Sequence, residues 1–185
     1  MNVKEAIEKR RSYRSLAPVD IDDDLINDLS ESASLAPSCF NNQPWNYVFV
    51  YDDEKLKQVF DTLSKGNEWA HNASMVIGVT GKKEDDCNIK DREYYLFDIG
   101  LATSMIMLRA TELGLVVHPI AGYSQSRAKK IMGIPEAYKL IALLIVGKHD
   151  QDYKDILSKK QLKDEKTRPP RKTVEEFSFH NQFKK

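Results

Sequence analysis

Cysteine is nearly missing from this sequence, with Cys39 and Cys87 the only two in 185 residues. Two widely separated thiols make neither a disulfide framework nor a metal-ligand spacing, so the expectation is a reduced, cytoplasmic chain without a metal. A charge excess is also missing, since 28 Lys and Arg balance 28 Asp and Glu. Proteins devoted to polyanions usually carry a basic surplus, so nucleic acid is not an expected partner. No apolar run approaches the roughly 20 residues that cross a bilayer, so no membrane partner is expected either. The opening Met-Asn-Val-Lys-Glu reads as amphipathic helix bearing an acid, unlike a signal or transit peptide. No Gly-x-Gly-x-x-Gly, Gly-x-x-x-x-Gly-Lys-Ser/Thr or Gly-x-Ser-x-Gly occurs. His71, His118, His149 and His180 are scattered without zinc spacing, and the acids at 52–53 and 84–86 read as solvated turns.

What is present can fold. Hydrophobic residues make up 41 % of the chain, and at this length folding buries roughly 70 % of the extended surface, so no staple is needed. The expectation is a single domain over residues 1–185, with an arm from about residue 150. Helices are expected over Val3 to about Arg10, with Asn2 and Glu5 in capping-box spacing, and from Asp20 or Asp22 towards Pro37. Another should carry Leu56, Val59, Phe60 and Leu63. The longest should run from about Arg92 to Leu113, with Leu96, Ile99, Ala102, Thr103, Ile106, Ala110 and Leu113 on its apolar face. Gly100, Ala102 and Ser104 keep that helix slim enough for another helix to approach. Strands are expected at Asn46–Tyr51, Ser74–Thr80, Leu115–His118 and Leu140–Val146, with a short helix from Ser124 to Met132. This predicts an α+β fold with a small sheet between helices. The polar stretch from Gln151 to Lys166, the unhelical Arg168-Pro-Pro-Arg-Lys172 and the aromatic end at 177–183 look unable to pack alone and suit a partner subunit.

Three segments could carry chemistry. Lys9-Arg10-Arg11-Ser12-Tyr13-Arg14 follows the first helix; its cations suit a helix C-terminus, or equally a phosphate, which forked guanidinium donors match. Pro37-Ser38-Cys39-Phe40-Asn41-Asn42-Gln43-Pro44-Trp45 is an ordered loop, either a self-capping turn or a surface that hydrogen-bonds a flat polar ligand. No histidine stands at a recognisable motif to make Cys39 a nucleophile. Pro119-Ile120-Ala121-Gly122 is an ordinary strand-end turn or a place where backbone N–H groups face a ligand.

Taken in order, these three segments resemble the nitroreductase family of FMN-dependent oxidoreductases. Asp98-Ile99-Gly100 and Arg171-Lys172-x-x-Glu175-Glu176 are similar to that family too, and the resemblance spans nearly the whole chain. It implies a nitroreductase-like fold with a small, mostly antiparallel central sheet flanked by helices and a C-terminal extension wrapping the partner subunit. It implies a homodimer with FMN sites at the interface and NADH or NADPH as donor. The acceptor is a small flat electrophile such as a nitroaromatic or quinone, reduced in a ping-pong cycle. Arg10, Ser12 and Arg171 would hold the FMN phosphate, with Arg11 or Lys172 assisting, and Arg14 would lie by the flavin pyrimidine edge. Pro37, Ser38, Cys39 and Asn41 would reach the ribityl chain and ring edge from the other subunit, with Gln43 and Trp45 shaping that loop. The backbone of Ala121 and Gly122 would donate to N5 and O4, with Pro119 and Ile120 against one ring face. No side chain is catalytic in this reading, Cys39 included, because the flavin carries the chemistry. Asn67 or Glu68 could add a contact from the 65–72 stretch, while Lys148 and His149 match nothing. An FMN-sequestering protein without turnover and a partner-binding module stay open as alternatives.

Overall fold

The computed structural model describes residues 1–152 and 156–183. The expected polar stretch of the arm therefore falls partly outside the described residues, at 153–155. The helices are α1 (Val3–Lys9), α2 (Asp23–Ser34), α3 (Asp53–Phe60), α4 (Tyr94–Glu112), α5 (Gln125–Met132) and α6 (Lys159–Lys166). The strands are β1 (Leu16–Ala17), β2 (Asn46–Val50), β3 (Met75–Gly81), β4 (Asn88–Ile89), β5 (Arg92–Glu93), β6 (Leu115–Ile120) and β7 (Lys139–His149). Local chemistry explains several boundaries. Asn2 and Glu5 form the expected capping box on α1, and Asp22, rather than Asp20, caps α2 by accepting from the Leu25 N–H at 2.8 Å. Gly114 leaves α4 with φ of 79°, the left-handed conformation that favours glycine after a helix.

The sheet is antiparallel throughout and organised on β7, which pairs with β1, β3 and β6, while β2 extends it beyond β3. Both faces are covered. Met75, Ile77, Val79, Leu144 and Val146 pack with Leu29, Ala33, Ile99, Ala102 and Ile106 on the α2–α4 side. Val76, Leu143 and Ile145 pack with Leu56, Val59, Trp69 and Ala128 on the α3–α5 side. The alternation of strand residues between faces sets this division. The α2–α4 pair is tied by Arg109, whose Nε and Nη2 donate to the two Asp28 oxygens at 2.8 and 2.7 Å.

Two expectations about α4 need correction. Leu96 and Leu113, read as core positions, are exposed, while Tyr95 and Asp98 are buried in their place. Helical spacing defines a face but does not say where a broad apolar stripe stops being core. Of the slim positions, Ala102 lies in the core, whereas Gly100 and Ser104 are exposed. The arm is also less detached than its composition suggested. Helix α6 docks on its own chain, where Gln161 Nε2 donates to the Gly66 carbonyl at 2.9 Å and Glu165 is buried.

The close packing at the end of β3 gives a stability test. A Cβ on Gly81 would stand 2.4 Å from Ile99 Cδ1 and 2.7 Å from the Pro44 carbonyl oxygen. Because one neighbour is backbone, Gly81→Ala should cost about 1–3 kcal/mol, read as a lowered urea midpoint with unchanged slope.

Candidate functional site

The Arg10–Arg14 segment runs from the end of α1 into β1, and α6 and the following extended chain close over it. Arg10, Arg11, Ser12, Arg14, Asp164, Arg168, Pro169 and Arg171 line one pocket of about 240 Å³. Arg168 Nη2 donates to the carbonyls of Glu8 (2.5 Å) and Arg10 (3.0 Å), which brings the extended segment against the end of α1. Arg10 Nη1 donates to Ser12 Oγ at 3.3 Å. Burial lowers the Arg10 pKa, and the like charges of Arg168 and Arg171 push in the same direction. A guanidinium crowded by its own kind is a place where an anion gains most.

Arg11 lines this pocket but is spoken for. Its Nη2 donates to the Asp164 and Glu165 carbonyls at 2.6 and 3.0 Å, and its guanidinium lies 4.5 Å from the Tyr13 ring centre. The buried Glu165 carboxylate accepts from the Arg14 backbone N–H and lies 3.5 Å from His149 Nε2. His149 in turn stacks on Tyr13 with ring centres 3.7 Å apart, and Lys148 pairs with Ala17 in the sheet. Arg168 and Glu165 escaped the sequence reading; their only signal is polarity beside a Pro-Pro segment that cannot coil.

His118 joins this segment to the Pro119–Gly122 turn. Its Nδ1 lies 2.9 Å from the Tyr13 carbonyl oxygen, which can only accept, so Nδ1 carries the proton. The ring stacks on Trp69, with centres 4.6 Å apart, and burial pushes its pKa down to about 4. Beyond it Pro119 and Ala121 are exposed, whereas the Ile120 side chain points into the core. Ile120 therefore has its backbone, not its side chain, to offer a ligand. Asn67 Nδ2 donates to the Gly122 carbonyl at 3.0 Å, and a Cβ on Gly122 would meet that nitrogen at 2.6 Å. The 65–72 stretch thus meets the turn through Asn67, while Glu68 accepts from the Gly66 N–H instead.

The Ser38–Gln43 loop lies elsewhere, against the first turns of α4. Its backbone is unusual, with φ of 49° at Phe40, 59° at Asn41 and 51° at Gln43, none of them glycine. Ser38 Oγ accepts from the Gln43 N–H, and Gln43 Nε2 donates to the Asn41 carbonyl, so both residues shape the loop. The Cys39 N–H donates to Asp98 Oδ2 at 2.7 Å, and its carbonyl accepts from Asn42. Burial raises the Asp98 pKa against the effect of that N–H, and neighbouring Asp86 adds to the rise. Pro37 and Phe40 are exposed, Phe40 by 90 %.

Here the expectation of free thiols is corrected, because Cys39 and Cys87 form a disulfide. Their separation of 48 residues hid the pair, and the fold makes it by seating the loop on the segment before β4. With its N–H and sulfur committed and its carbonyl already accepting one hydrogen bond, Cys39 has little beyond van der Waals contact to offer a ligand. Among the described residues, no helix is long and apolar enough to cross a membrane.

Comparison with known proteins agrees with this architecture. The sequence profile of the nitroreductase family matches residues 7–68 and 61–148. An Archaeoglobus fulgidus protein provisionally named NADH dehydrogenase/NAD(P)H nitroreductase is 31 % identical over 152 residues, covering 79 % of this chain and 84 % of that one. A crystal structure described as an oxidoreductase containing FMN superposes with a TM-score of 0.85 at 24 % identity, covering 100 % of this chain and 94 % of its own. A protein from Exiguobacterium sibiricum, provisionally named a nitroreductase and solved with FMN, gives a TM-score of 0.80 at 22 % identity, with 98 % of each chain covered. An antiparallel sheet between helices is the α+β architecture that these relatives share. This chain belongs to the nitroreductase family.

His118 gives a pH test. A folded pKa of about 4 against an ordinary 6.5 means that the unfolded chain alone takes up the proton between those values. Stability is then full above about pH 6.5 and falls by about 1.4 kcal/mol per pH unit as pH drops towards 4. His118→Gln should remove that slope from the unfolding free energy measured in urea across the same window.

Proposed function

We propose that this protein is an FMN-dependent oxidoreductase that takes hydride from NADH or NADPH and passes electrons to a flat electrophile such as a nitroaromatic or quinone. The carrying observation is the gathering of Arg10, Arg14, Arg168 and Arg171, from both ends of the chain, round one pocket. Forked donors at several angles suit a phosphate, which a lone surface cation would hold weakly. Among the described residues no carboxylate forms an ion pair with any of the four, although Asp164 shares the pocket wall. The donor set therefore fits a mononucleotide phosphate.

In this reading Arg10, Ser12 and Arg171 hold the phosphate, Arg168 adds its charge while its Nη2 is held by the Glu8 and Arg10 carbonyls, and Arg11 serves mainly to fasten α6. Arg14 would sit by the pyrimidine edge, where its charge would favour negative charge on the ring. The backbone N–H groups of Ala121 and Gly122 face the far edge of the ring, with Pro119 beside them and Asn67 fixing the turn. FMN bound there would supply the redox chemistry, taking up hydride from the nicotinamide and passing electrons on to the acceptor. Donor and acceptor would occupy the same space in succession, giving ping-pong kinetics, and no side chain would act as acid or base.

The active unit in this proposal is a homodimer. Phe40, 90 % exposed on left-handed backbone, and the exposed Phe97, Gly100 and Met105 of α4 suit a second copy. That copy brings Pro37, Ser38 and Asn41 to the flavin, and the exposed Val174, Phe177 and Phe183 wrap back over it.

Comparing FMN with riboflavin isolates the phosphate. Arg10→Gln should weaken FMN binding roughly 10- to 100-fold, measured by flavin fluorescence, while riboflavin binding changes little. Equal loss for both ligands would remove the phosphate assignment. Anaerobic NADH or NADPH should bleach the yellow FMN-loaded protein, and a quinone should restore the colour. A colour that persists with both donors would leave only flavin binding.

A further inference from the structure

Cys39, Asp86 and Cys87 form a cluster that the flavin reading does not use. The two sulfurs and an Asp86 carboxylate oxygen all lie within 4.8 Å of one another. Asp86 is only 8 % exposed, its Oδ2 is buried, and its carboxyl group lies within hydrogen-bond reach of the Asp98 carboxyl. The other Asp86 oxygen is held, accepting from Asn42 Nδ2 at 3.2 Å, and the same Asn42 nitrogen stands 3.7 Å from Cys87 Sγ. Asp98 lies alongside, anchored by the Cys39 N–H. Among the described residues, no cation forms a salt bridge with either carboxylate.

We propose that, once the disulfide is reduced, Cys39, Cys87 and Asp86 bind a divalent zinc-class cation that cross-links the Ser38–Gln43 loop to the segment before β4. Two neighbouring buried carboxyl groups beside two sulfurs are costly without a positive charge, and a cation there relieves both. Two thiolates select a borderline-soft ion, and the carboxylate oxygen favours Zn²⁺ over a purely thiophilic one. Zn–S bonds of about 2.3 Å and Zn–O bonds of about 2.1 Å set ligand-to-ligand edges of roughly 3–4 Å in a tetrahedron. The ligand atoms lie within 4.8 Å of one another, so small side-chain shifts bring the carboxylate to that scale while the sulfurs part as their bond opens. Water completes the fourth position. Asn42 and Asp98 act as positioning residues, because they hold the liganding groups rather than the ion.

The chemistry balances. A dithiol reductant gives two electrons and two protons to the Cys39–Cys87 bond, yielding two thiols and the oxidised dithiol. Zn²⁺ then displaces the two thiol protons and joins two thiolates and one carboxylate. Both cysteines are partly exposed, so a small reductant can reach them. Under oxidising conditions the loop is pinned covalently, and under reducing conditions the ion restores the same cross-link. The proposal is independent of the flavin assignment.

The test uses the full chain, reduced anaerobically with a phosphine that is then removed, and titrated with Co²⁺ alone. The expected result is one Co²⁺ per chain, with near-ultraviolet thiolate-to-cobalt absorption that Zn²⁺ abolishes and that the disulfide form never shows. Asp86→Asn, which keeps both thiols, should weaken Co²⁺ binding roughly 10- to 100-fold. A second readout needs no variant: Zn²⁺ should protect both reduced cysteines from alkylation, followed by mass spectrometry. Reduced wild-type protein without the thiolate absorption, or without protection, overturns the site. A folded Asp86→Asn variant that binds Co²⁺ like the wild type overturns the three-residue ligand set.

Discussion

The contact between α6 and the Arg10–Arg14 segment is the constraint on which the candidate site depends. Guanidinium groups repel one another, and without a fixed frame Arg10, Arg168 and Arg171 would spread into water. Glu165 supplies that frame from within, its carboxylate accepting from the Arg14 N–H beside His149. Arg11 reaches the other way, to the carbonyls at the end of α6. The chain thus uses one arginine and one buried acid to hold the remaining arginines close enough for a single anion to engage them together. Losing either would loosen the cluster through entropy before it removed any direct contact with a ligand.

The sheet carries this arrangement. β7 pairs with β1 at Lys148–His149 and with β6 from Lys148 back to Leu143, and the His118 side chain bridges from β6 to the segment after α1. His118 then locks them together, neutral and singly oriented, because burial disfavours its charged form and the Tyr13 carbonyl fixes its proton. The loop at 38–43 belongs to a separate structural problem. Its left-handed residues and committed backbone groups are held by Asp98 and by the link to Cys87, which leaves Phe40 presented outward. A loop built at that conformational cost, displaying a phenylalanine, is suited to meeting another surface.

Much of the fold was legible because the signals are local. The Asn2–Glu5 capping box, the Asp22 cap and the glycine after α4 follow from side chains meeting backbone groups a few residues away. The strands were found by composition, and β3 and β7 proved buried on both faces. Errors arose where periodicity met tertiary context. Leu96 and Leu113 share helical spacing with Ile99 and Ile106 yet lie outside the core, and the tail helix that looked unpackable docks through Gln161 and Glu165.

For the candidate site, the sequence by itself determined the kinds of groups available: clustered guanidinium, an ordered polar loop, and a turn with free backbone. It also determined that neither a phosphate-binding glycine loop nor a zinc motif replaces them. Only the tertiary structure decided which of these meet. It set Arg168 beside Arg10, turned Arg11 away to fasten α6, joined Asn67 to Gly122 and brought Cys39 to Cys87. The physical reason is range. Caps and amphipathic faces are fixed by neighbours within a turn or two, whereas these pairings depend on how the whole chain closes on β7, which no local pattern encodes.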